Sequence, residues 1–352
     1  MNTHPDIVAE TCLVALTTIS YILPRRVDLV PVFEQVLASN IDRILDTGSI
    51  ILRARMSLLL GYYADMLFTK FPDAFVKVID FLITSVGLLG DQKVVALQSA
   101  DTLNTIISDK DLIPRLEPHL PRLITVLIEC NLKIQIQLYF SFLQDFVKCY
   151  HHCIGDSIVP FVTSLVQRVQ IELKVCHEKG EKNNIIINKC WNVIRLITEL
   201  ESFMPHYAQQ IEEALKPLFE FMVDPKSIEF EDDIVLTMKS LIRKTDSVSP
   251  TLWALFPHLS KVFLKNKKCF GNLLDTINQY LITGRDVIGM NREFLAMIVT
   301  MAEECMFSKQ PTIAVNNAEG AILLQLLFQV YAGTAVLNEF FEAILKLVIK
   351  RM

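Results

Sequence analysis

Six prolines recur along the chain at a near-constant interval. Pro24, Pro72, Pro114, Pro160, Pro205 and Pro250 are spaced 48, 42, 46, 45 and 45 residues apart. Each follows an apolar or capping residue and opens an apolar run. Proline has a fixed φ and no N–H, so it is harmless in the first turn of a helix and breaks a helix interior. Its recurrence here marks the start of the second helix of a helix–turn–helix pair. The interval matches HEAT and armadillo units, which run about 40–47 residues.

Between these marks the apolar residues fall at helical period. Ile158, Phe161, Val162, Leu165, Val166, Val169 and Leu173 form one stripe, and Tyr207, Ile211, Leu215, Leu218, Phe219 and Met222 another. Ile186, Cys190, Val193, Ile197 and Leu200 form a third, widened by Trp191 and Ile194. Gly155-Asp156-Ser157 reads as a glycine C-cap followed by an acidic N-cap, and Ser249-Pro250 as an N-cap hydroxyl before a first-turn proline. Beyond Pro250 the marker is lost, and helices are predicted at 268–283, 288–305, 312–331 and 335–350. No stretch alternates with period two, so strands are not expected. The predicted fold is all-α: a right-handed α-solenoid of about eight HEAT-type repeats, continuous over residues 1–352. The polar segment His177 to Asn184 (HEKGEKNN) is its clearest inter-helix loop. A single pair cannot bury its apolar face alone, so stacking on neighbours supplies the stability. The last stripe, Ile344, Leu345, Leu347 and Val348, is apolar where a terminal repeat would turn polar. On that ground the chain is expected to extend further or to meet a partner there.

Composition agrees with this and narrows the function. Hydrophobic residues make up 51% of the chain and charged residues 21%, which excludes disorder. Only 11 glycines occur where average usage would give roughly 25, so tight strand hairpins are few. The net charge is −5, and the densest basic group is Lys265, Lys267 and Lys268 in one short loop. Direct nucleic-acid binding is not expected, because no basic stripe could neutralise a run of phosphates. The eight cysteines (Cys12, Cys130, Cys149, Cys153, Cys176, Cys190, Cys269 and Cys305) are scattered, and no basic-then-apolar leader precedes them. They read as free thiols of a reducing compartment.

Thr11 to Pro24 is uncharged but too short to span a bilayer. Gly320 to Asn338 runs 19 residues without a charge, yet contains Gln325, Gln329, Asn338 and a Gly333-Thr334 break. A buried helix and the turn into the next one fits it better than a membrane span.

Few residues suggest chemistry. Cys149-x-His151-His152-Cys153 has metal-ligand residue types, and its two cysteines lie four apart on one helix face. Both histidines fall on other faces, and no second Cys/His group is near in sequence, so a helix end with small buried thiols is expected and no metal or cofactor is assigned. No nucleophile elbow, phosphate-cradling loop or zinc-protease motif occurs, and no enzyme is expected. Glu229, Glu231, Asp232 and Asp233 are the sharpest acidic cluster. They read either as solvated first-turn acids favoured by the helix dipole or as a contact for a basic partner. Arg53 and Arg55 are partner-contact candidates too, with the plainer reading that their stems cover apolar surface. Trp253 and Phe256, spaced i and i+3, read as core packing before a binding pocket.

Several segments resemble a known family. Leu52-Arg53-Ala54-Arg55 precedes an apolar run, Leu58 to Tyr63; Val94 to Ile107 carries Ala96, Ala100 and Leu103. Ser249-Pro250-Thr251-Leu252-Trp253 is joined by Leu255, Pro257 and Phe263, then by Leu274, Asn278, Tyr280, Gly284 and Asp286. In order and spacing these resemble importin-β-type nuclear transport receptors (karyopherins), above all the C-terminal repeats of the importin seven/eight branch, over roughly residues 45–310. The resemblance implies a receptor that shuttles between cytoplasm and nucleus, binding protein cargo and the phenylalanine-glycine repeats of nucleoporins. The matching region lies in the C-terminal part of a much longer receptor, so Ran would be bound through repeats not present here. The mixed charge of Lys179 to Asn184 also departs from the acid-rich loop the family carries there. A HEAT scaffold outside transport, such as a phosphatase or chromosome-organising platform, shares the same composition and remains the alternative.

Overall fold

The computed structural model describes residues 5–351 apart from 21, 23–25, 27, 47, 48, 65–67, 69, 135, 181–183, 204, 224–229, 266–269 and 308–316. Among the described residues there is no strand. The helices are α1 (Pro5–Thr18), α2 (Val30–Leu45), α3 (Ile50–Tyr62), α4 (Pro72–Val86), α5 (Lys93–Ser108), the short α6 (Ile113–Leu116), α7 (Leu120–Lys133), α8 (Gln137–Ile154) and α9 (Ile158–Lys179). They continue as α10 (Ile185–Glu199), α11 (Ala208–Val223), α12 (Glu231–Arg243), α13 (Pro250–Lys265), α14 (Phe270–Thr283), the short α15 (Arg285–Met290), α16 (Arg292–Phe307), α17 (Asn317–Tyr331) and α18 (Ala335–Arg351). The fold is all-α with HEAT-type pairing. Packing divides it into two compact units, Met1–Leu196 and Ile197–Met352.

In the first unit, α1, α3, α5 and α8 pack side by side in one layer, and α2, α4, α7 and α9 in a second. The prolines sort by layer. Pro72 opens α4, Pro31 and Pro121 stand at the second positions of α2 and α7, and Pro160 lies in the first turn of α9. All four begin helices of the second layer, where a missing N–H costs nothing. Pro114 opens the short α6 just ahead of α7, and Pro24 lies outside the described residues. In the second unit, α11, α13, α16 and α18 form one layer and α12, α14 and α17 the other. Pro250 opens α13; the Pro205 carbonyl accepts from the Ala208 N–H at 3.1 Å where α11 begins.

The predicted stripes supply much of the core, with Leu173, Leu200 and Tyr207 only half-buried. Ile158, Phe161, Val162, Leu165, Val166 and Val169 are buried, as are Cys190, Trp191, Val193, Ile194 and Ile197. Ile187 rather than Ile186 is the fully buried start of the α10 stripe. Polar side chains also tie neighbouring repeats together, several of them at about the repeat interval. The Thr102 hydroxyl donates to the Ser57 carbonyl at 2.6 Å, 45 residues earlier, and Thr276 to that of Val235 at 3.2 Å, 41 residues earlier. In the other layer Lys77 pairs with Asp42 at 2.6 Å and Arg122 with Asp80 at 2.6 Å. Arg168, almost wholly buried, pairs with Glu172 one turn on and donates to the Leu132 carbonyl at 3.2 Å.

Three local expectations change, while the helix and turn expected over Gly320 to Asn338 are found. The segment predicted as one helix over 288–305 is two, because the Asn291 side chain accepts from the N–H groups of Glu293 at 3.0 Å and Phe294 at 3.3 Å, starting α16 afresh. The polar loop predicted at 177–184 begins later. His177, Glu178 and Lys179 are the last turn of α9, and Gly180, at φ +66°, ends it in the left-handed region. Residues 181–183 lie outside the described residues. At Gly155-Asp156-Ser157 the glycine ends α8 at φ +49°, but Ser157, not Asp156, holds the N-cap position of α9. Gly320 to Asn338 is α17, a turn with Gly333 at φ +80°, and the start of α18. Gly320 lets α17 approach α16 closely, since a Cβ there would lie 2.7 Å from the Ala302 carbonyl oxygen. Among the described residues no helix is long and apolar enough to cross a membrane.

Candidate functional site

Three of the four clustered acids start one helix. Glu231, Asp232 and Asp233 occupy the first turn of α12, where carboxylates complement the helix dipole. Glu231 is buried at 7% exposure, so it is neither the solvated acid nor the accessible contact that its place in the sequence suggested. Asp232 and Asp233 are half-buried, and Glu229 lies outside the described residues. What a partner could reach here is a pair of aspartates, flanked by a helix start rather than standing on an open face.

The two arginines of α3 make contacts within the chain. Arg53 is half-buried, donates to Gln92 Oε1 at 3.0 Å, and lies over the Phe81 ring at 5.5 Å. Arg55 faces the neighbouring helix α1, with its Nε 3.6 Å from Glu10. Its side chain keeps 44% of its surface exposed, so Arg55 is the more available of the two. Three helices therefore meet through these guanidinium groups, and the arginines act first as inter-repeat fasteners.

The residues that carry the family resemblance near Ser249 form one packing unit. Ser249 caps α13, accepting from the Leu252 N–H at 3.1 Å while donating to Glu212 of α11 at 2.6 Å. Trp253 packs against Tyr280 with ring centroids 5.2 Å apart, and Tyr280 donates from its hydroxyl to the Leu252 carbonyl at 2.6 Å. Phe256 is buried beneath both. Phe294, which the sequence offered no reason to single out, stacks nearly parallel on Trp253 at 5.8 Å and 11°. Trp253 and Phe294 remain half-exposed, so this is a core cluster with an aromatic edge at the surface. Only spatial neighbourhood across the α13–α16 packing could have revealed Phe294.

The Cys/His motif sits at a kink. Tyr150 leaves helical geometry at φ −123°, ψ 17°, between Cys149 and Cys153, so the two cysteines do not share the straight helix face expected of them. Burial raises both thiols above their ordinary pKa; Asp145 adds to this at Cys149 and Glu117 at Cys153. His151 is lowered, by burial and then by its neighbour His152.

No family model matches this chain. A curated relative, the "Probable importin-7 homolog" of Dictyostelium discoideum, is 18% identical over 291 residues, covering 80% of this chain and 26% of that protein. Among solved structures, one described as Lph2, a novel bidirectional nuclear transport receptor in S. cerevisiae, is similar with a TM-score of 0.65 at 14% identity. That match covers 97% of this chain and 35% of the yeast chain. The chain thus spans about a quarter to a third of the length of these proteins, neither of which is described as an enzyme. At such identity the structural likeness establishes the fold, a helical-repeat solenoid of the kind found in transport receptors.

Proposed function

We propose, on the premise that the chain is importin-β-like in sequence and in fold, that it acts in nuclear transport by binding protein cargo and nucleoporin phenylalanine-glycine repeats. The reading is carried by one observation: separate likenesses in sequence and in fold, over 80% and 97% of the chain, lead to proteins described in transport terms. The family-like residues Trp253, Tyr280 and Gly284 also belong to one packing unit, as they would if the same repeat had been kept intact.

The architecture suits the task. In the first unit the layer of α2, α4, α7 and α9 exposes the apolar side chains Val32, Val36, Val76, Leu132 and Ile171. Shallow sites of this kind hold single phenylalanine rings weakly and many at a time, which favours fast passage over tight retention. Because each repeat contacts only its neighbours, small rotations add along the stack and let one body accommodate differently shaped cargo. Cargo would release if Ran, bound elsewhere on a longer receptor, favoured another curvature. Shuttling between cytoplasm and nucleus follows from the same reading.

The test is retention of the purified, folded chain on an immobilised phenylalanine-glycine repeat peptide, with a serine-glycine peptide as control. Retention on the first column alone is expected. Passage straight through both columns, by a chain whose circular dichroism is helical, would overturn the proposal.

A further inference from the structure

Three donor side chains of different chemistry converge in the first unit, one from the turn before α7 and two from the last turn of α8. Glu117 stands in the 3-10 turn Glu117–His119 that leads into α7. His152 and Cys153 stand in the last turn of α8, beyond the kink at Tyr150 and just before the turn into α9. A carboxylate oxygen, an imidazole nitrogen and the thiol sulfur lie within 4.8 Å of one another. Glu117 and His152 are exposed and Cys153 is half-buried, so an ion from solvent could reach all three.

On a straight helix, residues one apart point about 100° away from each other. Here the kink reorients the final turn: the buried Tyr150 ring faces that of His152 at 6.4 Å and 27°, while its hydroxyl donates to the Ile107 carbonyl at 3.4 Å. The His152 imidazole is thereby backed by an anchored ring on one side and has the Glu117 carboxylate and the Cys153 sulfur within 4.8 Å of one of its nitrogens. Cys149 and His151, equally metal-like in the sequence, do not join the group.

We propose that Glu117, His152 and Cys153 bind one divalent cation of borderline softness, zinc before others, leaving the fourth coordination position open. Thiolate and imidazole together select against magnesium and calcium, which take oxygen ligands, and favour zinc. Zinc bonds of about 2.0–2.3 Å place tetrahedral ligands roughly 3.3–3.8 Å apart. The exposed Glu117 and His152 side chains can close the remaining ångström by rotation about their own bonds. On binding, the Cys153 thiol gives up its proton to solvent and the sulfur forms the metal bond. The double charge of the bound ion stabilises the thiolate over the thiol. The bound ion would join the turn before α7 to the last turn of α8, and its open position could accept water or a side chain from a partner.

The test uses the full chain, reduced and stripped by a chelator, titrated first with cobalt(II) as a spectroscopic stand-in and then with zinc by calorimetry. One ion per chain and a thiolate-to-cobalt charge-transfer band are expected. Cys153→Ser should abolish the band, and His152→Ala and Glu117→Gln should each weaken zinc by at least about tenfold. Cys149→Ser and His151→Ala should change neither. In the unmodified chain, zinc should slow alkylation of Cys153 while leaving the exposed Cys12 as reactive as before. No charge-transfer band in the unmodified chain, undiminished zinc binding by the Cys153→Ser chain, or zinc protection of Cys149 in place of Cys153 would each overturn the assignment. Retention on phenylalanine-glycine peptides is a separate measurement and stands or falls independently.

Discussion

Gly284 lies directly against the indole of Trp253: a Cβ added there would come within 2.5 Å of Trp253 Cη2 and 2.9 Å of the Tyr280 carbonyl oxygen. Neither atom can yield, because the ring is stacked on Phe294 and the carbonyl belongs to α14. Gly284→Ala should therefore destabilise by about 1–3 kcal/mol through overpacking, and displace the indole toward water. A urea melt with Trp253 emission, in a Trp191→Phe background, checks both. Gly87→Ala is the control: its nearest neighbour would be the Cys130 sulfur at 3.7 Å, and a change within about 0.5 kcal/mol is expected.

Three tyrosines reach back one repeat for a backbone carbonyl. Tyr63 donates to Leu16 at 2.8 Å, Tyr150 to Ile107 at 3.4 Å and Tyr331 to Arg285 at 2.7 Å, across separations of 47, 43 and 46 residues. Replacing each by phenylalanine should cost about 0.5–1.5 kcal/mol, least at Tyr150, where the bond is longest. Tyr63 and Tyr331 lie in different units with no shared partners, so their costs should add within about 0.5 kcal/mol. Denaturant melts of the single and double variants measure this; a coupling above that margin would contradict nearest-neighbour energetics.

The buried Arg168–Glu172 pair, with Asn184 donating to the second carboxylate oxygen at 2.7 Å, makes single replacements costly. Glu172→Leu leaves a buried guanidinium without its counter-charge and should lose about 3–5 kcal/mol. Adding Arg168→Met should recover most of that, since two apolar side chains of similar volume need no compensation. Thermal unfolding of the three variants decides it: a double variant no more stable than Glu172→Leu would mean that the polar network itself holds α9.

Thiol reactivity should follow burial. Cys130 is raised to about 11 and Cys190 to about 12, in both cases by desolvation first, whereas Cys12 is exposed. A raised thiol pKa lowers the thiolate fraction, to roughly one part in ten thousand at pH 8 for a pKa near 12. Alkylation of the native chain near pH 8 should thus label Cys12 quickly and Cys130 and Cys190 only on unfolding, with mass spectrometry as the readout. Labelling of Cys190 as fast as Cys12 would show that α10 opens readily.

Helix, pair and layer were legible along the chain because they depend on local rules. A proline is tolerated only in a first turn, and an apolar stripe at 3.6-residue period can be buried on one face only. Pro72, Pro160 and Pro250, and the stripe from Ile158 to Val169, therefore placed their elements correctly. The resemblance at Ser249 to Asp286 was legible for the same reason, since residues holding one packing unit must keep their spacing.

What only the tertiary structure decided are contacts between residues 35 to 47 positions apart, for which no local rule exists. Glu117 meets His152 and Cys153 because the turn before α7 lies beside the last turn of α8, which kinks at Tyr150. Glu231 is buried although its neighbours in sequence are polar, and Phe294 covers Trp253 from another helix. Periodicity states which face of a helix turns inward; the neighbour waiting on that face is set by packing between repeats, and on that packing any binding site here depends.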